Sequence, residues 1–169
     1  YSQAALVLFL LALSGFFSMA ETSMLSSNRH RLRAMANSGN AGAALAEKLL
    51  KRIDSLLSVL LISNNLINTI LPILVTGIAL HLFGESGFVL SVATLVVALL
   101  IIIFSEITPK VIGAAFPERI AANVGWLILP LTYLFRPLLW MINNFVSGLM
   151  RISGLQSSSD SRTMSKEEL

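Results

Sequence analysis

The chain has no cysteine and only two histidines among its 169 residues. The lack of cysteine excludes disulfide bonds and metal sites built on thiolates. Charged residues are also scarce at 12%, about half the share found in soluble domains. Hydrophobic residues, by contrast, make up 55% of the chain. This composition predicts an integral membrane protein.

Three apolar runs are each long enough to cross a hydrocarbon core of about 30 Å, which takes about 20 helical residues. They cover roughly residues 4–25, 56–83 and 87–107. A fourth apolar region, 121–150, is interrupted by prolines and would place Arg136 near the bilayer centre if it spanned. That placement would cost about 2.5–3.5 kcal/mol. We therefore predict an all-α membrane protein with three transmembrane helices and a kinked juxtamembrane helix in the interface.

The distribution of lysine and arginine indicates the orientation of the chain in the membrane. Six of the 12 basic residues lie between the first and second runs, and the other six follow the third run. With the N-terminus outside and the C-terminus in the cytoplasm, three spans place all 12 on the cytoplasmic side. The basic excess therefore indicates membrane topology, and we predict no nucleic-acid partner.

Two polar segments flank the predicted membrane helices. The first reads as a cytoplasmic helical hairpin around an Asn-Ser-Gly-Asn turn at residues 37–40. At the other end, residues 153–169 become serine-rich and polar, which predicts a linker. Ser165 and Glu168 form a capping box, which predicts the start of a helix. We therefore expect residues 1–152 to form the transmembrane domain and the tail to lead into a removed cytoplasmic regulatory region.

Polar side chains lie inside all three predicted spans. They are Ser14, Ser18 and Glu21 in the first, Asn64, Asn65 and Asn68 in the second, and Ser105 and Glu106 in the third. At a rise of about 1.5 Å per residue, all three clusters can meet in the cytoplasmic half of the membrane. Hydroxyl, amide and carboxylate oxygens suit Mg²⁺, Ca²⁺ or Na⁺. The two histidines lie at opposite ends of the membrane, so no serine has a base, and we predict that the chain is not an enzyme.

The same residues also admit a structural interpretation. Buried serine and asparagine commonly bridge membrane helices by hydrogen bonds, and the glutamates could pair with Arg29 or Lys110 at the interface. A carboxylate on each of two helices and amides on the third favour an ion site, because a bound cation compensates buried carboxylates. Pro109 removes a backbone donor and so frees a carbonyl near Ser105, which is a further candidate ligand.

Three stretches, "SGFFSMAETS", "SNNLINT" and "FSEITPKVIGAAFPERIA", resemble the signature stretches of the CorC/cyclin M (CNNM) magnesium transporters. The resemblance covers essentially the whole chain. It implies a homodimer in the lipid bilayer, with three transmembrane helices and a juxtamembrane belt helix per subunit. It also implies CBS domains that bind adenine nucleotide and that would follow this chain. We expect a multi-pass protein of the cell membrane, here a bacterial inner membrane.

The resemblance also implies an activity, because the family is implicated in Mg²⁺ efflux with Na⁺ as the proposed coupling ion. Its ion ligands, carried onto this chain, fall on Ser14, Ser18, Glu21, Asn64, Asn65, Asn68 and Glu106. Ser105 stands where many members have glycine, so its hydroxyl and its backbone both stay candidates. We predict an ion-transport domain that exports Mg²⁺. The alternatives are a membrane-anchored divalent-cation sensor that moves no ion and a purely structural dimerisation anchor.

Overall fold

The structure, a computed structural model, describes residues 2–84 and 87–152, so the predicted linker at 153–169 lies outside the described residues. All regular elements in the described ranges are helices, which confirms the predicted all-α membrane fold. The helices are α1 (Ser2–Ser26), α2 (Arg29–Asn37), α3 (Ala41–Leu50), α4 (Ile53–Phe83), α5 (Gly87–Ile101), α6 (Thr108–Ala115), α7 (Pro117–Leu134) and α8 (Arg136–Ile152). A π-helical segment, Ile102–Ile107, joins α5 to α6.

Three stretches of the described residues are long and apolar enough to cross a membrane. They are Gln3–Ser26, Ile53–Leu82 and Leu90–Ala115. They agree with the three predicted spans in approximate position. Pro117–Leu134 and Arg136–Met150 pass the same test only when they are taken together. The third stretch extends past its predicted end at residue 107, because the helix continues through Pro109 into α6.

Helix α1 packs against α4 and also against α6 and the π-helical segment. Two glycines allow the close approach of α1 and α6. A Cβ atom on Gly113 would lie 2.7 Å from the carbonyl oxygen of Met19, and one on Gly15 would lie 3.2 Å from Cγ of Pro109. Small residues at such positions let membrane helices pack backbone to backbone. Since Gly15 faces Pro109 and Gly113 faces Met19, the two helices run in the same direction.

The predicted hairpin is present, with α2 ending at Asn37 and α3 beginning at Ala41. Each helix has an asparagine N-cap: Asn28 accepts a hydrogen bond from a backbone N–H of α2 at 2.9 Å, and Asn40 accepts one from α3 at 3.0 Å. The guanidinium of Arg33 pairs with the Glu47 carboxylate at 3.0 Å and links the two helices. These caps supply acceptors that helix N-termini otherwise lack.

Helix α7 packs against this hairpin. Gly42 of α3 is so close to α7 that a Cβ atom there would collide with the carbonyl oxygen of Ala122. The Glu118 carboxylate accepts a hydrogen bond from the backbone N–H of Asn28 at 3.2 Å. The buried core runs continuously from α1 through the hairpin to α7 and includes Met24 and Ile128. The hairpin and α7 therefore belong to the same packed body as the first span.

The predicted juxtamembrane helix, residues 121–150, is interrupted between α7 and α8 at Phe135. Pro137 lies in the first turn of α8, where its missing N–H costs no helical hydrogen bond. Within α8, Met141, Phe145 and Leu149 are exposed and recur every four residues, so they form an apolar stripe. A stripe of this kind suits a helix that lies in the membrane interface.

Candidate cation site

The third span changes its helical register at Ile102–Ile107, the π-helical segment. The N–H of Thr108 donates to the carbonyl of Ile103, five residues back rather than four. Pro109 follows, and since proline has no N–H, the carbonyl that would pair with residue 109 receives no bond from it. In the π register that carbonyl belongs to Phe104. Short π-helical insertions are frequent at functional sites.

The carbonyl oxygen of Phe104 faces α1. A Cβ atom on Gly15 would lie 3.6 Å from this oxygen, so the oxygen lies close to the backbone of α1 at Gly15. Ser14 precedes Gly15, and Ser18 lies about one turn further along the same helix. The distorted part of the third span therefore meets the serine-bearing part of the first.

Asn68 connects the three spans by hydrogen bonds. The hydroxyl of Ser14 on α1 donates to Oδ1 of Asn68 on α4 at 2.7 Å, and it lies 3.2 Å from Oδ1 of Asn64. In turn, Nδ2 of Asn68 donates to Oε1 of Glu106 in the π-helical segment at 2.9 Å. The result is a chain of polar groups, Ser14–Asn68–Glu106, that crosses all three spans; we refer to it below as the polar chain.

Three buried serine hydroxyls have no hydrogen-bond partner among the described residues, namely Ser18, Ser63 and Ser105. One lies on α1, one on α4 and one in the π-helical segment. Other hydroxyls of α1 behave differently, because Thr22 and Ser23 donate to carbonyls of their own helix at 3.1 and 3.0 Å. A buried polar group without a partner costs about 1–3 kcal/mol and calls for an explanation such as a bound ion or water.

The structure brings most of the predicted site residues together but not all. Hydrogen bonds join Ser14, Asn64, Asn68 and Glu106, while Ser18 and Ser105 are fully buried on the first and third spans. Asn65 is exposed on α4, and Glu21 is half-buried about two turns from Ser14 with no hydrogen bond or ion pair in the described part of the chain. Ser63 was not a predicted ligand, and its only signal in the sequence is its place beside Asn64.

The charge of Glu106 has no basic partner in the described ranges, where the one ion pair found is Arg33–Glu47. Within the same ranges, no group of three or more histidine, cysteine, aspartate or glutamate side chains could hold a metal. The donor set is therefore one carboxylate together with hydroxyl, amide and carbonyl oxygens. Such hard oxygen donors suit Mg²⁺, Ca²⁺ and Na⁺ and are poor ligands for softer metals.

Comparison with known proteins identifies relatives over nearly the whole chain. The family model described as the cyclin M transmembrane N-terminal domain matches residues 5–169. The UPF0053 inner membrane protein YfjD of Escherichia coli is 40% identical over 158 residues, and a UPF0053 protein of Haemophilus influenzae is 40% identical over 159. A chloroplastic DUF21 domain-containing protein of Arabidopsis thaliana is 30% identical over 158 residues.

These alignments cover 93%, 94% and 94% of this chain but only 36%, 37% and 24% of the three relatives. The chain thus spans about a third or less of the length of these curated relatives. The helices, the candidate spans and the polar chain between them define an all-α integral membrane protein with an oxygen-rich centre. The chain belongs to the cyclin M (CNNM) transmembrane domain family. This membership confirms the resemblance that the three motifs indicated.

Proposed function

We propose that this chain is the transport domain of a Mg²⁺ exporter in a bacterial inner membrane. It would act as a homodimer with the N-terminus outside and the C-terminus in the cytoplasm. The family is generally linked to divalent-cation transport, which supports the class of cargo. The observation that carries the proposal is the set of buried hydroxyls, one on each of the three spans, that have no hydrogen-bond partner among the described residues. Together with them, the Glu106 carboxylate has no basic partner in the same part of the chain.

A Mg²⁺ ion would supply what each of these groups lacks. The hydroxyls of Ser18 and Ser105 would gain a cation to coordinate, and Glu106 would gain a counter-charge. Mg²⁺ requires near-octahedral coordination by six oxygens at about 2.0–2.1 Å and gives up its water reluctantly. The Phe104 carbonyl and retained waters would complete the shell, because one carboxylate and two hydroxyls do not suffice.

Release to the other side would require the three spans to repack, since the polar chain ties them together. Na⁺ accepts the same kinds of oxygen, so Na⁺ and Mg²⁺ would compete for overlapping ligands. A driving ion that binds the outward-facing arrangement better would shift the population toward it. The π-helical segment before Pro109 is the natural place for such a change, because its backbone hydrogen bonds already depart from the α-helical register.

Flux through the purified chain tests the proposal. In liposomes that contain a Mg²⁺-sensitive dye, the chain is expected to conduct Mg²⁺ above protein-free vesicles, and an opposing Na⁺ gradient is expected to increase the rate. Thermal unfolding in detergent with and without Mg²⁺ provides a separate measure of binding. Binding without flux would favour the cation sensor. Neither binding nor flux would favour the structural anchor.

The unpartnered hydroxyls predict an unusual pair of effects for Ser105→Ala. Without Mg²⁺, the variant is expected to unfold at the same or a higher temperature, since it removes a buried polar atom that has no hydrogen bond. With Mg²⁺, its affinity is expected to fall by at least about 10-fold, because polar contacts to charged groups contribute about 1.5–3 kcal/mol. Both are read from the unfolding midpoint as a function of Mg²⁺ concentration.

Ser23→Ala is the matched control, because Ser23 is equally buried on α1 but donates to the Ala20 carbonyl at 3.0 Å. Its Mg²⁺ affinity is expected to equal that of the wild type. A Ser105→Ala protein that loses stability without Mg²⁺ and keeps its Mg²⁺ affinity would show that the hydroxyl has a structural partner instead.

A further inference from the structure

A second polar feature lies away from the polar chain. A pocket of about 600 Å³ is lined by residues of α2, of the end of α6 and of the start of α7. Two arginines, Arg31 on α2 and Arg119 on α7, line it together with the aromatic ring of Phe116. None of these three residues takes part in the proposed cation site.

The position of this pocket along the spans places it at the edge of the membrane. Ala115, which lines the pocket, is the last residue of the third candidate span. The first candidate span ends at Ser26, five residues before Arg31 in the sequence. Both helices therefore leave the hydrocarbon next to the pocket, at the depth where lipid headgroups lie.

The charges in the pocket favour a phosphate group. Arg31 and Arg119 are both exposed, and neither forms an ion pair within the part of the chain that the structure describes. A guanidinium offers a planar fork of N–H donors that matches two phosphate oxygens. The carboxylate of Glu118 also lines the pocket, but it accepts a hydrogen bond from the backbone N–H of Asn28 at 3.2 Å. The pocket is thus lined by two arginines and one glutamate, which leaves an excess of positive charge.

The apolar residues of the pocket favour a phospholipid over a free phosphate ion as the ligand. Phe116 is 59% exposed, and Met35 and Ala115 line the pocket beside the arginines. An inorganic phosphate would contact only the guanidinium groups. A phospholipid would place its phosphate on the arginines and its glycerol and first acyl carbons against Phe116, as amphipathic ligands at membrane interfaces do.

We propose that this pocket binds the phosphate headgroup of an anionic phospholipid from the leaflet next to the α2–α3 hairpin. Phosphatidylglycerol has the required chemistry, which is one phosphodiester charge on a glycerol that carries acyl chains. The bound lipid bridges α2 and α7 and so ties the hairpin to the end of the third span. The proposal does not depend on the transported ion or on the direction of transport.

Binding can be measured on the purified protein in neutral detergent micelles that contain increasing mole fractions of phosphatidylglycerol or phosphatidylcholine. The unfolding midpoint is expected to rise and saturate with phosphatidylglycerol and to change little with phosphatidylcholine or with inorganic phosphate. Arg31→Gln and Arg119→Gln are each expected to raise the half-saturating mole fraction at least about fivefold, given the contribution of a basic residue near anionic lipid.

Two further variants separate the pocket from general surface charge. Lys48→Gln removes an exposed charge on α3 that does not line the pocket, and it is expected to change the half-saturating fraction by less than about twofold. Ala34→Phe fills the pocket from α2 without changing its charge and is expected to weaken binding as much as Arg119→Gln does. Equal effects of Lys48→Gln and Arg119→Gln would overturn the proposal. So would an unaffected Ala34→Phe protein, or a phosphate response equal to that of the lipid.

Discussion

Glu106→Gln is expected to abolish Mg²⁺ transport while leaving the fold intact. Glutamine has the same shape and keeps a side-chain oxygen, so it can still accept the hydrogen bond from Nδ2 of Asn68, which is 2.9 Å long in the structure. What disappears is the negative charge. Two unit charges about 4 Å apart interact by about 4 kcal/mol at an effective dielectric constant of 20, and a divalent ion doubles this. Desolvation cancels part of the gain, so we expect a loss of at least about 100-fold in Mg²⁺ affinity.

The liposome assay measures the loss of transport, and the Mg²⁺-dependent unfolding midpoint measures the loss of Mg²⁺ affinity. Asp54→Asn is the matched control, because it also removes one carboxylate but at an exposed position in the first turn of α4. Its transport rate is expected to be that of the wild type. A Glu106→Gln protein that transports at the wild-type rate would rule out Glu106 as the charged ligand, and with it the proposed site.

Asn68→Leu is expected to lower both stability and Mg²⁺ affinity, although leucine has a similar volume. The substitution removes the nearer of two acceptors of the Ser14 hydroxyl and also the donor to Glu106, and the half-buried carboxylate thereby loses its hydrogen bond. Loss of such a partner costs about 1–3 kcal/mol of unfolding free energy. Groups that orient a metal ligand contribute about 10–100-fold to metal affinity. We therefore expect Mg²⁺ binding to weaken by about that factor.

Thr69→Val is the matched control for the losses of stability and Mg²⁺ affinity expected of Asn68→Leu. Thr69 follows Asn68 on α4, is exposed, and uses its hydroxyl only for a 2.8 Å bond to the Asn65 carbonyl of the same helix. Its unfolding midpoint and its Mg²⁺ affinity are expected to change little. If both variants behaved alike, the polar chain would have no special role, and the amide of Asn68 would be one of several interchangeable helix contacts.

Position 105, where the resemblance implies glycine in many family members, accepts a serine in this chain. The described residues include no residue other than glycine with a positive φ, so the π-helical register is built from ordinary helical backbone angles. The conformation itself therefore does not require glycine. Serine instead adds a fully buried hydroxyl, and this hydroxyl is one of the three that have no hydrogen-bond partner in the ranges 2–84 and 87–152.

The sequence alone determined the fold class, the approximate spans and the hairpin. Long apolar runs must form helices in a membrane, because no water is present to satisfy an unpaired backbone. The hairpin turn also follows from residue identity. Gly39 adopts a positive φ of 98°, which glycine allows, and Asn40 is a favoured N-cap residue for α3. These features depend only on the identity of neighbouring residues, so they could be predicted without knowledge of distant contacts.

Only the tertiary structure distinguished among the polar residues. Asn65 and Asn68 are both on α4 and read alike in the sequence, yet Asn68 bridges Ser14 and Glu106 while Asn65 is exposed. Residues three apart on a helix differ by about 60° in direction, so the tilt and rotation of α4 against its neighbours decide which amide points inward. The unpartnered hydroxyl of Ser63 and the pocket between α2 and α7 likewise arise from how helices pack. Those quantities depend on contacts between residues that are far apart in the chain, and no local pattern of residues specifies them.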